Sequence, residues 1–206
     1  MKQLFIMALL FLAGTTVAQN NEEVITANGK TVKEKRQTGE FSKLKVIGSF
    51  EVVLAPVQEI TLEGSENVLK EIETQITDGT LVIETTKGKK IKPGKITIKV
   101  PYYTSLSEIF LKGSGSVTAK NTIKNNLKLN LEGSGDITFN LNSAKAEACV
   151  LGSGSITLSG SADDFECKVI GSGNVEAKNL ESSNVNVVVS GSGNANIICN
   201  KAITGK

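Results

Sequence analysis

The sequence contains no histidine, no tryptophan, two tyrosines, three cysteines and three prolines in 206 residues. Without histidine, the commonest metal ligand and the commonest general base are both missing. A Ser-His-Asp triad, a Cys-His dyad and the usual zinc sites are therefore excluded. Chemistry carried by carboxylates is not. Charge of either sign is not in excess: 23 basic residues face 21 acidic ones. Nothing in that balance demands a nucleic acid or an anionic membrane. Glycine is plentiful at 20 residues, beside 39% apolar and 21% charged residues. This composition excludes a disordered tail, a coiled coil and a collagen, and the length suits one domain or a closely packed pair.

Long apolar runs are scarce as well. The one candidate is residues 4–13, preceded by Lys2 and followed by Thr16-Val17-Ala18 before Gln19. A short positive start, an apolar stretch and a small-x-small site make the pattern of a signal peptide over residues 1–18. The run is about half the roughly 20 residues that a spanning helix needs. No cysteine follows the cleavage site, which argues against a lipoprotein anchor. The expected product is exported, to the periplasm, the outer surface or the medium, with no membrane span after cleavage. Three cysteines in an exported chain allow one disulfide at most.

The strongest signal is a period. Gly-Ser-Gly recurs at 113–115, 133–135, 152–154, 171–173 and 191–193, in steps of 20, 19, 19 and 20 residues. Two positions before each triplet stand Leu111, Leu131, Val150, Val169 and Val189. Four before stand Ile109, Leu129, Ala148, Cys167 and Val187. Four after stand Val117, Ile137, Ile156, Val175 and Ala195, and six after stand Ala119, Phe139, Leu158, Ala177 and Ile197. The positions between are mostly polar, with Leu151, Ile170, Val188 and Ile198 as exceptions. Alternation with period two on both sides of each triplet predicts two half-buried strands per repeat, and the spacing excludes a helical repeat. The triplet is the corner, where glycine supplies the tight backbone. A repeat this short cannot close a core alone, but stacked coils can. The expected fold is therefore all-β: a single-domain parallel β-solenoid, β-helix-like, with 19–20-residue coils over about 105–206. The alternative is an antiparallel meander of ten strands, which does not require identical corners. Cys167 falls in an inward column and Cys149 in an outward one, so no bridge is expected between them.

Ahead of the repeat, residues 19–40 are polar and read as a flexible leader or a first edge. The solenoid domain is expected over 41–206. Alternation starts at Leu44, and Gly48-Ser49-Phe50 interrupts it like a degenerate corner. Residues 67–76, with Val68, Leu69, Ile72 and Ile76, read as a short amphipathic helical stretch. Asp78-Gly79 is a strong hairpin turn.

Together, the Val46-to-Leu54 segment around Gly48-Ser49-Phe50, Asn67-Val68-Leu69, Asp78-Gly79-Thr80-Leu81-Val82-Ile83 and the serial Gly-Ser-Gly corners resemble the GIN domain, the auto-transporter adhesin head family of Gram-negative bacteria. The resemblance covers about 40–206. It implies a β-rich, solenoid-like core and an adhesin-like role, with no catalytic or binding residues to carry over. Repeat spacing puts the next triplet beyond Lys206, and Ala202-Ile203-Thr204-Gly205 reads as the opening of another coil. An uncapped end exposes apolar ladders and unpaired backbone, so the coil is expected to continue past Lys206, to have its end covered by another subunit, or to have its last strand fold back over it.

Candidate sites follow from position. Ser114, Ser134, Ser153, Ser172 and Ser192 are expected to form one line of hydroxyls suited to a repeating polymer such as a glycan, although serine also simply fits tight turns. Lys87, Lys89, Lys90, Lys92 and Lys95 crowd into nine residues, a basic loop for an anionic polymer or a solvated hairpin tip. With no arginine or aromatic near them, nucleic acid is not an expected partner. One Asp among Ser116, Asp136, Ser155, Asn174 and Asn194 is too few carboxylates for calcium, so no metal or cofactor is expected. Asp163, Asp164 and Glu166 form a compact acid cluster, and Tyr102 and Tyr103 a small aromatic pair. Adjacent acids in a loop read as a solvated corner rather than as the facing carboxylates that polysaccharide cleavage needs. The tyrosines read as a small sugar-stacking patch unless one packs inward by strand alternation. The reading is an exported, non-enzymatic, adhesin-like or surface-binding protein. Its alternatives are an envelope protein that self-associates through open solenoid ends and, last, a polysaccharide-active β-helix enzyme.

Overall fold

The computed structural model describes residues 22–92 and 94–205. The expected signal peptide, residues 1–18, lies outside the described residues. In chain order the elements begin with β1 (Glu23–Ile25) and β2 (Thr31–Arg36), then β3 (Lys43–Ile47) and β4 (Glu51–Ala55). Next come β5 (Ile60–Ser65), the single turn α1 (Glu66–Leu69), β6 (Ile72–Thr77), β7 (Thr80–Thr85), β8 (Lys89–Ile91) and β9 (Thr97–Pro101). The repeat follows as β10 (Glu108–Gly113), β11 (Ser116–Ala119), β12 (Leu127–Gly133), β13 (Asp136–Gly152) and β14 (Ser155–Gly171). It finishes with β15 (Asn174–Glu181), β16 (Asn184–Gly191), β17 (Asn194–Ile197) and β18 (Ala202–Gly205).

These strands wind into a β-solenoid of about five turns. One wall stacks β7, β3, β10, β12, the second halves of β13 and β14, β16 and β18, all parallel. The other stacks β9, β4, β11, the first halves of β13 and β14, β15 and β17, again parallel. The registers superpose the corners, with Gly113 on Gly133, Gly133 on Gly152, Gly152 on Gly171 and Gly171 on Gly191. The antiparallel meander is therefore excluded.

The four apolar columns point into the coil as the alternation requires. Ile109, Leu111, Val117, Leu129, Ile137, Val150, Ile156, Val169 and Val175 have no measurable exposure. Each such side chain contributes about 1.5–3 kcal/mol on burial, and stacking repeats it coil after coil. Burial fades at β16 to β18: Val187, Val189, Ala195 and Ile197 are only partly buried, and Ile203 is 61% exposed.

Three expectations need correction. First, the parallel stack does not start near 105. It reaches back to β3 and β4, and β7 and β9 stack on their far side, so the first rungs are out of chain order. Gly48 lies under Gly113 as a corner, but 65 residues separate them, far from the 19–20-residue period. Second, residues 67–76 are not one helical stretch. Only α1 is helical, and Ile72–Thr77 is strand β6, antiparallel to β7. Asp78 (φ 49°) and Gly79 (φ 71°) both have positive φ, the signature of a type I′ turn that joins two strands. Third, the described residues of 19–40 take the first-edge reading rather than the flexible leader. β2 is an edge, antiparallel to β5, and β1 pairs with β8.

The end bearing β2, β5, α1 and β6 is closed. Arg36, the chain's single arginine, donates to the Leu69 carbonyl at 2.9 Å and the Ile72 carbonyl at 2.5 Å. It thereby caps the Leu69 carbonyl, which the short helix leaves free, and ties it to the start of β6 at Ile72. No helix among the described residues is long and apolar enough to cross a membrane.

Candidate functional site

The corners decide the site, because they place one side chain per coil on an outer edge. Gly133 has φ +121°, a region that side chains avoid. A Cβ on Gly133 would lie 2.5 Å from the Gly113 carbonyl oxygen, and one on Gly135 would lie 2.5 Å from that of Gly115. Both outer positions of the triplet are thus closed by the coil beneath, which leaves only the middle residue free to carry a side chain. The Ser134 and Ser172 N–H groups donate to the carbonyls of Gly113 and Gly152 at 3.0 and 2.9 Å. Their side chains turn outward, and Ser114, Ser134, Ser153, Ser172 and Ser192 are all exposed. Serine hydroxyls that bond within the protein, such as those of Ser65, Ser107 and Ser143, lie elsewhere. Adjacent strands are about 4.8 Å apart, so the five serines form a regular line. The structure adds Ser49, exposed under Ser114 in the Gly48-Ser49-Phe50 corner. Phe50 takes the place of the third glycine and turns its ring into the core, 2% exposed.

The lysine-rich loop lies at the end of this line. In the terminal rung β7 continues to β9 through residues 86–96, where the next rung has its corner at 48–50. The loop is therefore an enlarged corner. Lys89, Lys90, Lys92, Ser49 and Ser114 line one cleft of about 560 Å³, together with Glu22. Sequence distance hid this meeting of the two candidate groups.

The lysines are not equivalent. Lys89 is ion-paired with Glu23, whose hydrogen bond raises the Lys89 pKa. Lys95 lies 3.4 Å from Glu51. Lys87, Lys90 and Lys92 are exposed and make no ion pair among the described residues. What sequence reading missed is the acidic side of the cleft. Glu22-Glu23 was visible, but nothing local linked it to a loop more than sixty residues away.

Other candidates dissolve in the structure. Lys145 bridges Glu147 and Glu166 at 2.9 Å each, and its pKa is raised by those bonds. Asp164 accepts from Asn184 at 2.8 Å. Asp164 and Glu166 are thus tied up in surface pairs, and the open cleft of about 390 Å³ that both line also holds their partners Lys145 and Asn184. Tyr103 packs edge-on against Phe41 at 5.1 Å, and Tyr102 donates to Asn125 at 2.7 Å, so the two tyrosines form no stacking platform. Ser116, Asp136, Ser155, Asn174 and Asn194 do stack in one column, with a single carboxylate among them. Among the described residues no group of acidic or cysteine side chains is placed to hold a metal ion.

All three cysteines are free. Ala148 stands beside Cys167 and Cys149 beside Lys168, which puts the two thiols on opposite faces of the wall. Burial, with Cys149 nearby, pushes the Cys167 thiol up to about 12, so it is an inert core group. Three of the four apolar exceptions in the repeat share the outer face of one wall. Leu151 pairs in register with Ile170, while Val188 borders a shallow cleft of about 330 Å³ with Cys149 and Lys168.

A family model described as "Putative auto-transporter adhesin, head GIN domain" matches residues 40–206. Among curated proteins none matches this sequence. A crystal structure described as a putative adhesin from Bacteroides fragilis is 25% identical, with TM-score 0.80 over 88% of this chain and 86% of its own. A protein described as putative lipid binding, from Parabacteroides distasonis, is 18% identical, with TM-score 0.66 over 89% and 97%. A putative adhesin from Parabacteroides merdae is 20% identical, with TM-score 0.65 over 89% and 95%. The two Parabacteroides proteins share the fold.

Proposed function

This chain belongs to the head GIN domain family, an adhesin-like group, and from that premise we propose that it is an exported, non-enzymatic module that holds an anionic cell-surface polymer along its corner edge. The observation that carries the reading is the lysine loop, which stands in for a corner and so ends the serine line in positive charge. Exposed charge pairs contribute only about 0.2–1 kcal/mol each. Three free lysines therefore hold a small anion poorly. A polymer that engages lysines and successive hydroxyls together gains by multivalency. The pairing of Glu166 with Lys145 and of Asp164 with Asn184 supports a reading without catalysis.

The test is an array of acidic and neutral glycans, lipopolysaccharide and matrix proteins, with polymer breakdown assayed on the same samples. Saturable binding to acidic polymers without breakdown is the expected result. Lys90→Glu with Lys92→Glu should weaken that binding at least about tenfold, and raised salt should do the same. Binding that is indifferent to both would remove the lysine loop from the site. Breakdown of a polymer would point to the enzyme instead.

The fading burial at β16 to β18 favours a second reading, self-association through that end. Among the described residues β17 pairs only with β15 and β18 only with β16, and such free edges pair readily with another chain. Sedimentation equilibrium should then show a concentration-dependent dimer that Ile203→Lys abolishes. A monomer at all concentrations would end this reading.

A further inference from the structure

β1 and β8 form a sheet of two strands, separate from the sixteen-stranded one. Their ladder covers three residues, with Glu23 beside Lys89, Val24 beside Lys90 and Ile25 beside Ile91. The Glu23 N–H donates to the Gly88 carbonyl and the Lys92 N–H to the Ile25 carbonyl, each at 2.9 Å. So short a two-stranded sheet is marginal on its own. β1 and the residue just before it also put two carboxylates on the lysine loop. Glu23 is ion-paired with Lys89, and Glu22 lines the cleft that Lys89, Lys90 and Lys92 share with Ser49.

Behind β1 the chain is anchored independently. The Asn28 N–H donates to Ser65 Oγ and Asn67 Oδ1, both at 3.1 Å, and Asn67 Nδ2 donates to the Thr26 carbonyl at 2.8 Å. β1 can therefore leave β8 while β2 keeps its place, at the cost of uncovering Ile25, which packs partly buried against the core. Half of the Val24 surface is already in solvent, at 48%.

We propose that β1 is an internal competitor, an acidic strap that occupies the lysine cleft until an anionic polymer displaces it. The proposal rests on the polyanion reading above and adds the regulation of that site. The strap offers the lysines the same chemistry as the polymer, carboxylates spaced along an extended chain. Its tether keeps it at high local concentration. A short or sparsely charged anion loses to it, and a long polymer with closely spaced charges wins. The strap thus sets a threshold on ligand length and charge density.

The test titrates the full chain with polygalacturonate, with neutral dextran as the control. Glu22→Gln with Glu23→Gln should bind polygalacturonate about fivefold to tenfold more tightly than the wild type, as removal of one or two exposed competing pairs allows. In the wild type the Glu23 and Lys92 amides should lose hydrogen-exchange protection as the polymer binds. Ile25→Cys with Ile91→Cys, neighbours in register, locks the strap. The oxidised form should bind at least about fivefold more weakly, and a reductant should restore the affinity in the same sample. Equal affinity in the wild type, the glutamine variant and the oxidised lock overturns the strap while leaving the polyanion site standing, provided Lys90→Glu with Lys92→Glu still weakens binding at least about tenfold. Failure of both the wild type and the glutamine variant to bind overturns both readings.

Discussion

Val169→Asp should unfold the repeat, whereas Lys168→Asp beside it should leave the melting temperature nearly unchanged. Val169 has no exposed surface, and its in-register neighbours Val150 and Val189 offer no partner for a charge. An unpaired carboxylate there costs several kcal/mol, above about 4 even after local rearrangement. Lys168 points outward into solvent, where a substitution shifts stability by about 0.5 kcal/mol or less. Because each coil contacts chiefly its neighbours, the damage should spread along the stack. Hydrogen exchange should show β16 to β18 losing protection first, while β3, β7 and β10 keep theirs longer. Thermal melts of the two variants settle the register: equal behaviour would mean that the inward and outward columns are misassigned.

Gly133→Ala should be nearly as damaging, although it adds a single methyl group. Two effects act together. The backbone at φ +121° excludes a Cβ, and the Cβ would also press on the Gly113 carbonyl at 2.5 Å. Backbone strain of this kind costs about 1–3 kcal/mol, and the coil below has no room to yield. The expected loss is about 3 kcal/mol or more. Gly29→Ala separates the terms, since Gly29 has φ +82° but nothing within 4 Å of its Cβ position. It should cost only about 1 kcal/mol, the conformational part alone. Ser134→Ala, between the two closed glycines, should leave stability within about 0.5 kcal/mol. If Gly133→Ala melts like Ser134→Ala, close stacking is not what the glycines serve.

Both substitutions bear on function as well as fold. The glycines that cannot change are the reason the serines are presented at all. With both flanks of each corner closed by the coil beneath, the middle position is the one place on that edge where a side chain is free to vary. Whatever the edge binds, it binds through residues that the fold leaves unconstrained, and for that reason serine variants are clean probes of ligand contact.

Much of this architecture is legible in the order of the residues alone. Alternation such as Leu129, Leu131, then Ile137, Phe139 states the inward face of each strand. The recurrence of Gly-Ser-Gly states that consecutive coils are alike and superposed. These are local facts, repeated five times, so each copy corroborates the others. The serine line follows from them, since a residue at one place in every coil must form a row. The limits of that reading are equally physical. Gly48-Ser49-Phe50 resembles a corner, but only the stacked rungs show that it lies directly against the 113–115 corner, because β5 to β9 intervene in the chain. Val68, Leu69, Ile72 and Ile76 have helical spacing, yet Asp78-Gly79 and the free edge of β7 draw Ile72–Thr77 into a hairpin. The meeting of Glu23 with Lys89 spans 66 residues, and no periodicity relates them. The coil, its core columns and its glycine corners are written in the chain, because they depend on neighbours a few residues away and on repetition. Which coil lies at the end, that the lysine loop takes a corner's place there, and that an acidic strand covers it are settled only in three dimensions. Those are contacts between distant segments, chosen by the closing of one end of the stack.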